Sequence, residues 1–515
     1  MGPSLIVVNF SSLTSWHADW SGLRVVVLGA GVSGFSSADT LIELGARVLV
    51  LAAEVPAETV DLLEVIGASL TQTTEREQAL PVLEAFGADL VIVSPGFHPD
   101  HPILVWAMEQ NIPVWGDIEL AWRVRDKVQV AEWICVTGTN GKTTTVQLLT
   151  HILAFAGNRV AAVGNIGTPV LDAVRDPTGF DVLVVELSSY QLHWLRSGHD
   201  AAVSPFASVC LNIADDHLDW HGSAAAYAQA KAMVYNNTRV ACVYNKADDA
   251  TLLMVEQAEV VEGCRAIGFG LSSPGPSDFG IAGDIVIDRA FGEDRRNTAL
   301  ELTTHGELAA TGLAAPHSVA NVLAASALSR AWGVTPETVR LAIASFRMDH
   351  HRTETVANSA GVLWVDDSKA TNPHAAAAAL KAYRSVVWIA GGLLKGVDVD
   401  AIVKEHIPRL RAVVLIGTDR TALLDACERH APMLPVFEVL SDDTDHVMVD
   451  AVAAAASFAL PGDTVLLAPA AASMDQFIDY SDRGRRFAQA VKDLLDKAPL
   501  LEEAPGGDYS GDNLV

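Results

Sequence analysis

Short apolar runs that end in glycine, serine or acid recur along the chain, and each is followed by residues with helical spacing. Residues 23–29 read as a buried strand. The turn Gly29-Ala30-Gly31-Val32-Ser33-Gly34, a helix to about Leu44 and a strand at 47–51 complete a βαβ unit of nucleotide-binding type. Strands at 89–93, ending in Ser94-Pro95-Gly96, and at 112–115, ending in Gly116-Asp117, extend it. A second series of strands is predicted at 133–136, 159–163, 181–185, 207–211 and 240–244, with helices between them, most plainly 224–235 and 317–332. The Gly, Pro, Ser and Asp-rich stretch 272–300 holds one alternating patch, Ile281 to Ile287, that reads as a hairpin or edge sheet. A third series at 362–366, 386–390, 412–416 and 464–468 alternates with helices such as 375–380 and 447–458.

This rhythm predicts an α/β protein with parallel sheets and helices on both faces. Three domains are expected: a Rossmann-like domain at 1–128, a central P-loop ATPase-like domain at 129–345, and a second Rossmann-like domain at 346–498. Residues 499–515, rich in Pro, Gly and acid, are expected to form a flexible tail.

Composition narrows the classes. A chain of 515 residues exceeds one ordinary domain. Its 63 acids against 35 Lys plus Arg give a formal charge of -28, which argues against nucleic acid as a partner. Five scattered cysteines suggest neither a disulfide framework nor a zinc cluster. Residues 1–20 do not resemble a secretory signal, and no apolar run reaches membrane-spanning length. A cytoplasmic protein without membrane insertion is expected.

The candidate chemistry begins at Gly138-Thr139-Asn140-Gly141-Lys142-Thr143-Thr144, between a predicted strand and a predicted helix. Helix-start N–H groups there can cradle phosphate, Lys142 can reach the terminal phosphates, and Thr143 can hold Mg2+. Val136 stands where the strict Walker pattern has glycine. Glu186 ends the strand 181–185, either as a metal ligand or as a charge before the helix start at Ser188-Ser189. His217, within Asp215-Asp216-His217-Leu218-Asp219, reads as a metal ligand, a phosphate contact or part of a solvated loop. Lys231, taken alone, reads as a surface lysine. Farther on, His350-His351-Arg352, Asp366 to Pro373, Gly391-Gly392 with Lys395, and Pro469 to Phe477 all follow strands or join domains. An arginine fork at Arg352 suits a phosphate or carboxylate.

Together these segments resemble the Mur ligase family of bacterial wall synthesis, over about residues 20 to 495. The resemblance rests on the loop 138–144, Gly164-Asn165-Ile166-Gly167, Glu186-Leu187-Ser188-Ser189-Tyr190-Gln191-Leu192 and Asn212-Ile213-Ala214-Asp215-Asp216-His217-Leu218-Asp219. Asp367-Ser368-Lys369-Ala370-Thr371-Asn372 and Ser473-Met474-Asp475-Gln476-Phe477, with Tyr480 and Arg483-Gly484, resemble the family's D-glutamate-adding branch.

The resemblance implies ATP-dependent amide formation between UDP-N-acetylmuramoyl-L-alanine and D-glutamate, through an acyl phosphate, by a monomeric enzyme. It implies two Mg2+ ions, held by Thr143, Glu186, His217 and a carboxylated Lys231, with Lys142 and Asn165 also catalytic. ATP would further meet Asn321, Arg352 and Asp367. Ser33, Gly34, Ser94 and Gly96, with the segment Asn111 to Asp117 nearby, would hold the UDP end, and Lys369, Thr371, Lys395, Ser473, Met474 and Tyr480 would surround D-glutamate. Domain closure would exclude water. The chain departs from the pattern at Ser318, in the usual His-Asn pair, and at Leu51-Ala52-Ala53, where an acid is usual. A different amino-acid-adding Mur ligase and a P-loop ATPase are the alternatives.

Overall fold

A computed structural model describes residues 9–195, 202–347, 350–441 and 443–497. The predicted tail at 499–515 and part of the predicted junction near 346 lie outside them. The α/β reading holds, with one sheet in each of the three predicted regions. The first two sheets belong to one compact unit that runs through residue 348, and the third belongs to a second unit that starts at residue 349.

The first sheet is all parallel, in the order Ser69–Thr71, Arg47–Leu51, Arg24–Leu28, Leu90–Val93, Val114–Gly116. Val26 pairs with both Leu49 and Val91. Strand order reverses beside Arg24–Leu28, so the turn that leaves this strand sits where open parallel sheets bind ligands.

The second sheet has nine strands. Glu132–Thr137 lies between Val182–Glu186 and Ala207–Cys210, and Val160–Gly164 forms the edge. On the other side follow Ala241–Asn245, Arg265–Phe269 and Asp278–Ala282, all parallel, then the antiparallel strands Ile285–Asp288 and Leu300–Thr304. The predicted hairpin is therefore present, with Ile281 opposite Val286. Arg265–Phe269 escapes the sequence pattern because Gly268 interrupts its apolar run. A Cβ there would lie 2.5 Å from Asp278 Oδ1, so any larger residue would displace the Asp278 side chain. The helix Lys142–Phe155 packs on Pro316–Trp332, which brings Asn321 to the start of the former.

In the second unit, Val362–Asp366, Thr464–Leu467, Val386–Gly391, Leu410–Ile416 and Val436–Glu438 are parallel neighbours in that order. Glu354–Ser359 adds an antiparallel edge that alternation did not reveal. The helix Tyr480–Lys497 follows the last of these strands in the chain. No helix among the described residues is long and apolar enough to cross a membrane.

Candidate active site

The phosphate loop is shaped by two left-handed glycines, Gly138 at φ 146° and Gly141 at φ 83°. A Cβ on Gly141 would fall 2.3 Å from Asn321 Oδ1, so the loop is closed against the later helix. Asn212 fastens it from the other side: its Oδ1 accepts from Asn140 N at 2.8 Å, and its Nδ2 donates to the Asn140 carbonyl at 3.0 Å. The Thr139 hydroxyl meets the Tyr227 hydroxyl at 2.9 Å. Lys142 folds back over the loop, its Nζ 2.8 Å from the carbonyl oxygens of both Gly138 and Thr139. Thr143 and Thr144 are buried in the first helical turn.

Glu186 ends its strand beside this loop at 2% exposure. Asn165 Nδ2 donates to Glu186 Oε1 at 3.2 Å, whereas Oε2 is buried without a hydrogen-bond partner. An unmatched buried carboxylate oxygen is costly unless a cation or donor meets it. This residue set therefore fits a hard divalent cation, with Thr143 on the adjoining helical turn. The helix-cap alternative falls to Ser188, whose capping box with Gln191 starts the helix.

His217 adopts φ 54° and its Nδ1 is hydrogen-bonded to the Tyr190 hydroxyl. Asp216 lies 3.6 Å from its Nε2. The solvated-loop reading of His217 gives way to a packed position against Tyr190, their ring centroids 4.7 Å apart.

Lys231 is no surface lysine; it is 2% exposed. Its Nζ donates to the Gly138 carbonyl at 2.9 Å and to Thr137 Oγ1 at 3.2 Å, and stands 5.0 Å from the Tyr227 ring centroid. Burial, helped by the Lys142 charge, lowers its pKa to about 7. Tyr227 lies four residues before Lys231 on the helix Ala224–Ala232, and that i, i+4 spacing was the available signal for its part in the site.

In the first sheet, Gly34 is packed so tightly that a Cβ would lie 2.1 Å from the Gly29 carbonyl oxygen and 2.9 Å from Ser94 Oγ. Ser33, Gly34 and Ser94 thus meet at one turn, and Ser94 Oγ is buried without a partner. Gly96 lies two residues beyond Ser94 with open space around its Cβ direction.

The second unit gathers its own candidates. Lys369 Nζ stands 3.6 Å from the Tyr480 ring centroid. Ser368 Oγ donates to the Tyr480 carbonyl at 2.7 Å. Arg483, fully buried, binds Ser368 through Nε and Nη2 and the Ala471 carbonyl through Nη1. Arg483 belongs to the segment that resembles the D-glutamate-adding branch, but the resemblance implies no task for it. The Thr371 N–H donates to the Lys369 carbonyl at 2.8 Å. Leu393 and Ala472 exchange backbone hydrogen bonds at 2.9 Å, which joins the loop carrying Lys395 to that carrying Ser473. Lys395 takes φ 54°, Ser473 is buried, and Met474 is 70% exposed. Arg352 lies between two left-handed residues, His351 at φ 66° and Thr353 at φ 47°. His351 Nδ1 is 2.7 Å from Asp366 Oδ2, and Thr353 N donates to Asp367 Oδ1 at 3.1 Å. Loss of hydration raises the Asp367 pKa to about 7.

The Mur ligase middle domain matches residues 136–329, and the Mur ligase glutamate ligase domain matches residues 351–471. The chain belongs to the Mur ligase family. It is 64% identical over 494 residues to a UDP-N-acetylmuramoylalanine–D-glutamate ligase of Leifsonia xyli, covering 95% of this chain and 96% of that protein. The enzyme of the same name from Streptomyces avermitilis is 51% identical, covering 92% of this chain and 99% of that one. Among solved structures, UDP-N-acetylmuramate-alanine ligase from Thermotoga maritima aligns with TM-score 0.53 at 18% identity, over 92% of this chain and all of that one, a likeness of fold.

Proposed function

We propose that this chain joins D-glutamate to UDP-N-acetylmuramoyl-L-alanine, with ATP converted to ADP and phosphate. The observation that carries the reading is a buried lysine and a buried, half-unmatched carboxylate beneath one phosphate loop. Extensive identity to D-glutamate ligases supports the choice of amino acid. In this reading the terminal carboxylate of the alanyl substrate attacks the γ-phosphorus, and ADP leaves. The D-glutamate amine then attacks the acyl phosphate carbon, loses a proton, and inorganic phosphate departs.

Lys142 neutralises charge that develops on the transferring phosphoryl group. Thr143 and Glu186 would hold one Mg2+, and His217 with Lys231 a second; the ions supply charge neutralisation between two anions that must meet. Lys231 would serve as a carbamate, formed when its neutral amine takes up CO2 and releases a proton. The lowered pKa near 7 supports this, because a substantial fraction of the amine is then neutral at physiological pH. Asn165 orients Glu186 and contacts the reacting acyl group.

Gly138, Thr139, Asn140, Gly141, Thr144, Asn321, Arg352 and Asp367 are assigned to ATP. Ser33, Gly34, Ser94 and Gly96 are assigned to the UDP end. Lys369, Thr371, Lys395, Ser473, Met474 and Tyr480 are assigned to D-glutamate. The proposed limits of the three domains are 1–128, 129–345 and 346–498. The test is ADP release measured with each substrate omitted in turn. Release that requires both UDP-N-acetylmuramoyl-L-alanine and D-glutamate is expected. Hydrolysis without either, or turnover with L-alanine or diaminopimelate in place of D-glutamate, would overturn the reading.

A further inference from the structure

The second strand of the first sheet ends in Leu51-Ala52-Ala53, where nucleotide-binding βαβ units commonly place an acid for a sugar hydroxyl. The sheet supplies an acid elsewhere on the same edge. Its strands are all parallel, so Asp117, directly after Val114–Gly116, stands at the C-terminal edge with Gly29 and Ser94. Asp117 is 8% exposed. Its Oδ2 accepts from Gln191 Nε2 at 3.2 Å, while Oδ1 is buried without a partner in bonding geometry. The Ile118 N–H and the Ser33 hydroxyl also lie close enough to favour the charged carboxylate. Two buried oxygens, Asp117 Oδ1 and Ser94 Oγ, thus lack partners around one glycine turn.

We propose that Asp117 is a ligand-recognition residue of this turn, accepting a hydroxyl group of the bound nucleotide sugar on Oδ1 while Gln191 holds Oδ2. The proposal rests on the assignment of the turn to the UDP end of the substrate. The chemistry selects a hydroxyl. A carboxylate repels diphosphate oxygens, whereas a hydroxyl donor satisfies an oxygen that otherwise stays unmatched. Gln191 also caps the helix that follows Glu186, through its side-chain bond to the Ser188 N–H. Filling Oδ1 therefore steadies the link between the sugar-nucleotide turn and the segment that carries Glu186.

The test uses the full chain and calorimetric binding of UDP and of UDP-N-acetylmuramoyl-L-alanine, with steady-state kinetics. Asp117→Asn is expected to weaken binding of the full substrate about tenfold. Its KM should rise to match, with kcat and the KM for ATP within about twofold of wild type. Equal weakening for UDP alone places the hydroxyl on the ribose; weakening confined to the full substrate places it on the muramyl sugar. Unchanged binding of both, or a parallel loss of ATP affinity and kcat, overturns the proposal.

Wild-type protein gives a second readout that does not depend on a variant folding. Burial raises the Asp117 pKa to about 6. Affinity for the full substrate should therefore fall as pH drops through that value, because the neutral acid is the weaker acceptor. The groups that face Asp117, namely the Gln191 amide, the Ile118 N–H and the Ser33 hydroxyl, are neutral. Glu119 and Arg123 on its own helix pair with each other, Asp39 on the Ser33 helix pairs with Arg175, and His193 on the Gln191 helix packs on Trp220. Affinity that is flat across this range overturns the proposal. Wild-type protein that binds no UDP-N-acetylmuramoyl-L-alanine would instead sink the functional reading itself.

Discussion

The Lys231 side-chain nitrogen reaches the carbonyl oxygen of Gly138 at 2.9 Å, from a helix outside the phosphate loop. A cation is thereby buried directly against a loop that already carries Lys142. Two ammonium groups so placed repel each other, and the lowered Lys231 pKa reflects its burial first and this repulsion second. Conversion of one of them to a carbamate reverses the sign of that interaction. Lys231→Ala is expected to lower kcat by roughly a hundredfold or more. Formate or acetate should restore part of it by standing in for the carbamate oxygens. Full activity of Lys231→Ala without such additions would sink the carbamate proposal.

Glu186→Gln separates stability from function. The wild-type carboxylate is buried with one oxygen unmatched, so the neutral amide should leave the melting temperature equal or higher. Activity should fall by about 10²-fold or more, with a raised Mg2+ requirement. A clear drop in melting temperature with unaltered Mg2+ dependence would contradict this account.

Gly141→Ala places a methyl group 2.3 Å from Asn321 Oδ1 and forces alanine into φ 83°. The backbone conformation alone costs about 1–2 kcal/mol. Weaker ATP binding and a lower unfolding midpoint are expected. Isothermal titration and urea denaturation report each effect.

His351 and Asp366 form a buried pair in the second unit. The hydrogen bond to Asp366 raises the His351 pKa above its ordinary value of 6.5. The stabilisation it provides is complete below that ordinary value and is lost as pH rises through the raised one. The difference in urea midpoint between wild type and His351→Gln should therefore be larger at pH 6 than at pH 8. An equal difference at both values would exclude this linkage.

Most strands and the phosphate loop could be read from the chain because buried parallel strands leave uninterrupted apolar runs, as at 182–185 and 386–390. Arg265–Phe269 and Glu354–Ser359 could not: one is broken by Gly268, and the other is a half-exposed edge with mixed polarity. The partners of site residues were less legible still. The burial of Lys231 depends on Thr137 and Gly138, far away in sequence, and on an alanine-rich helix only its spacing from Tyr227 hints at which face turns inward. Likewise, nothing local to Arg483 shows that Ser368 and Ala471 surround it.

Closure of the phosphate loop against Asn321 bears on how the chain is made. Residues 138–144 emerge from the ribosome long before the helix Pro316–Trp332 that covers Gly141. A nascent chain halted in the hairpin region near residue 290 would hold the whole nucleotide motif yet lack one wall of it. Nucleotide competence should thus arise late in synthesis, once the helix carrying Asn321 has left the exit tunnel.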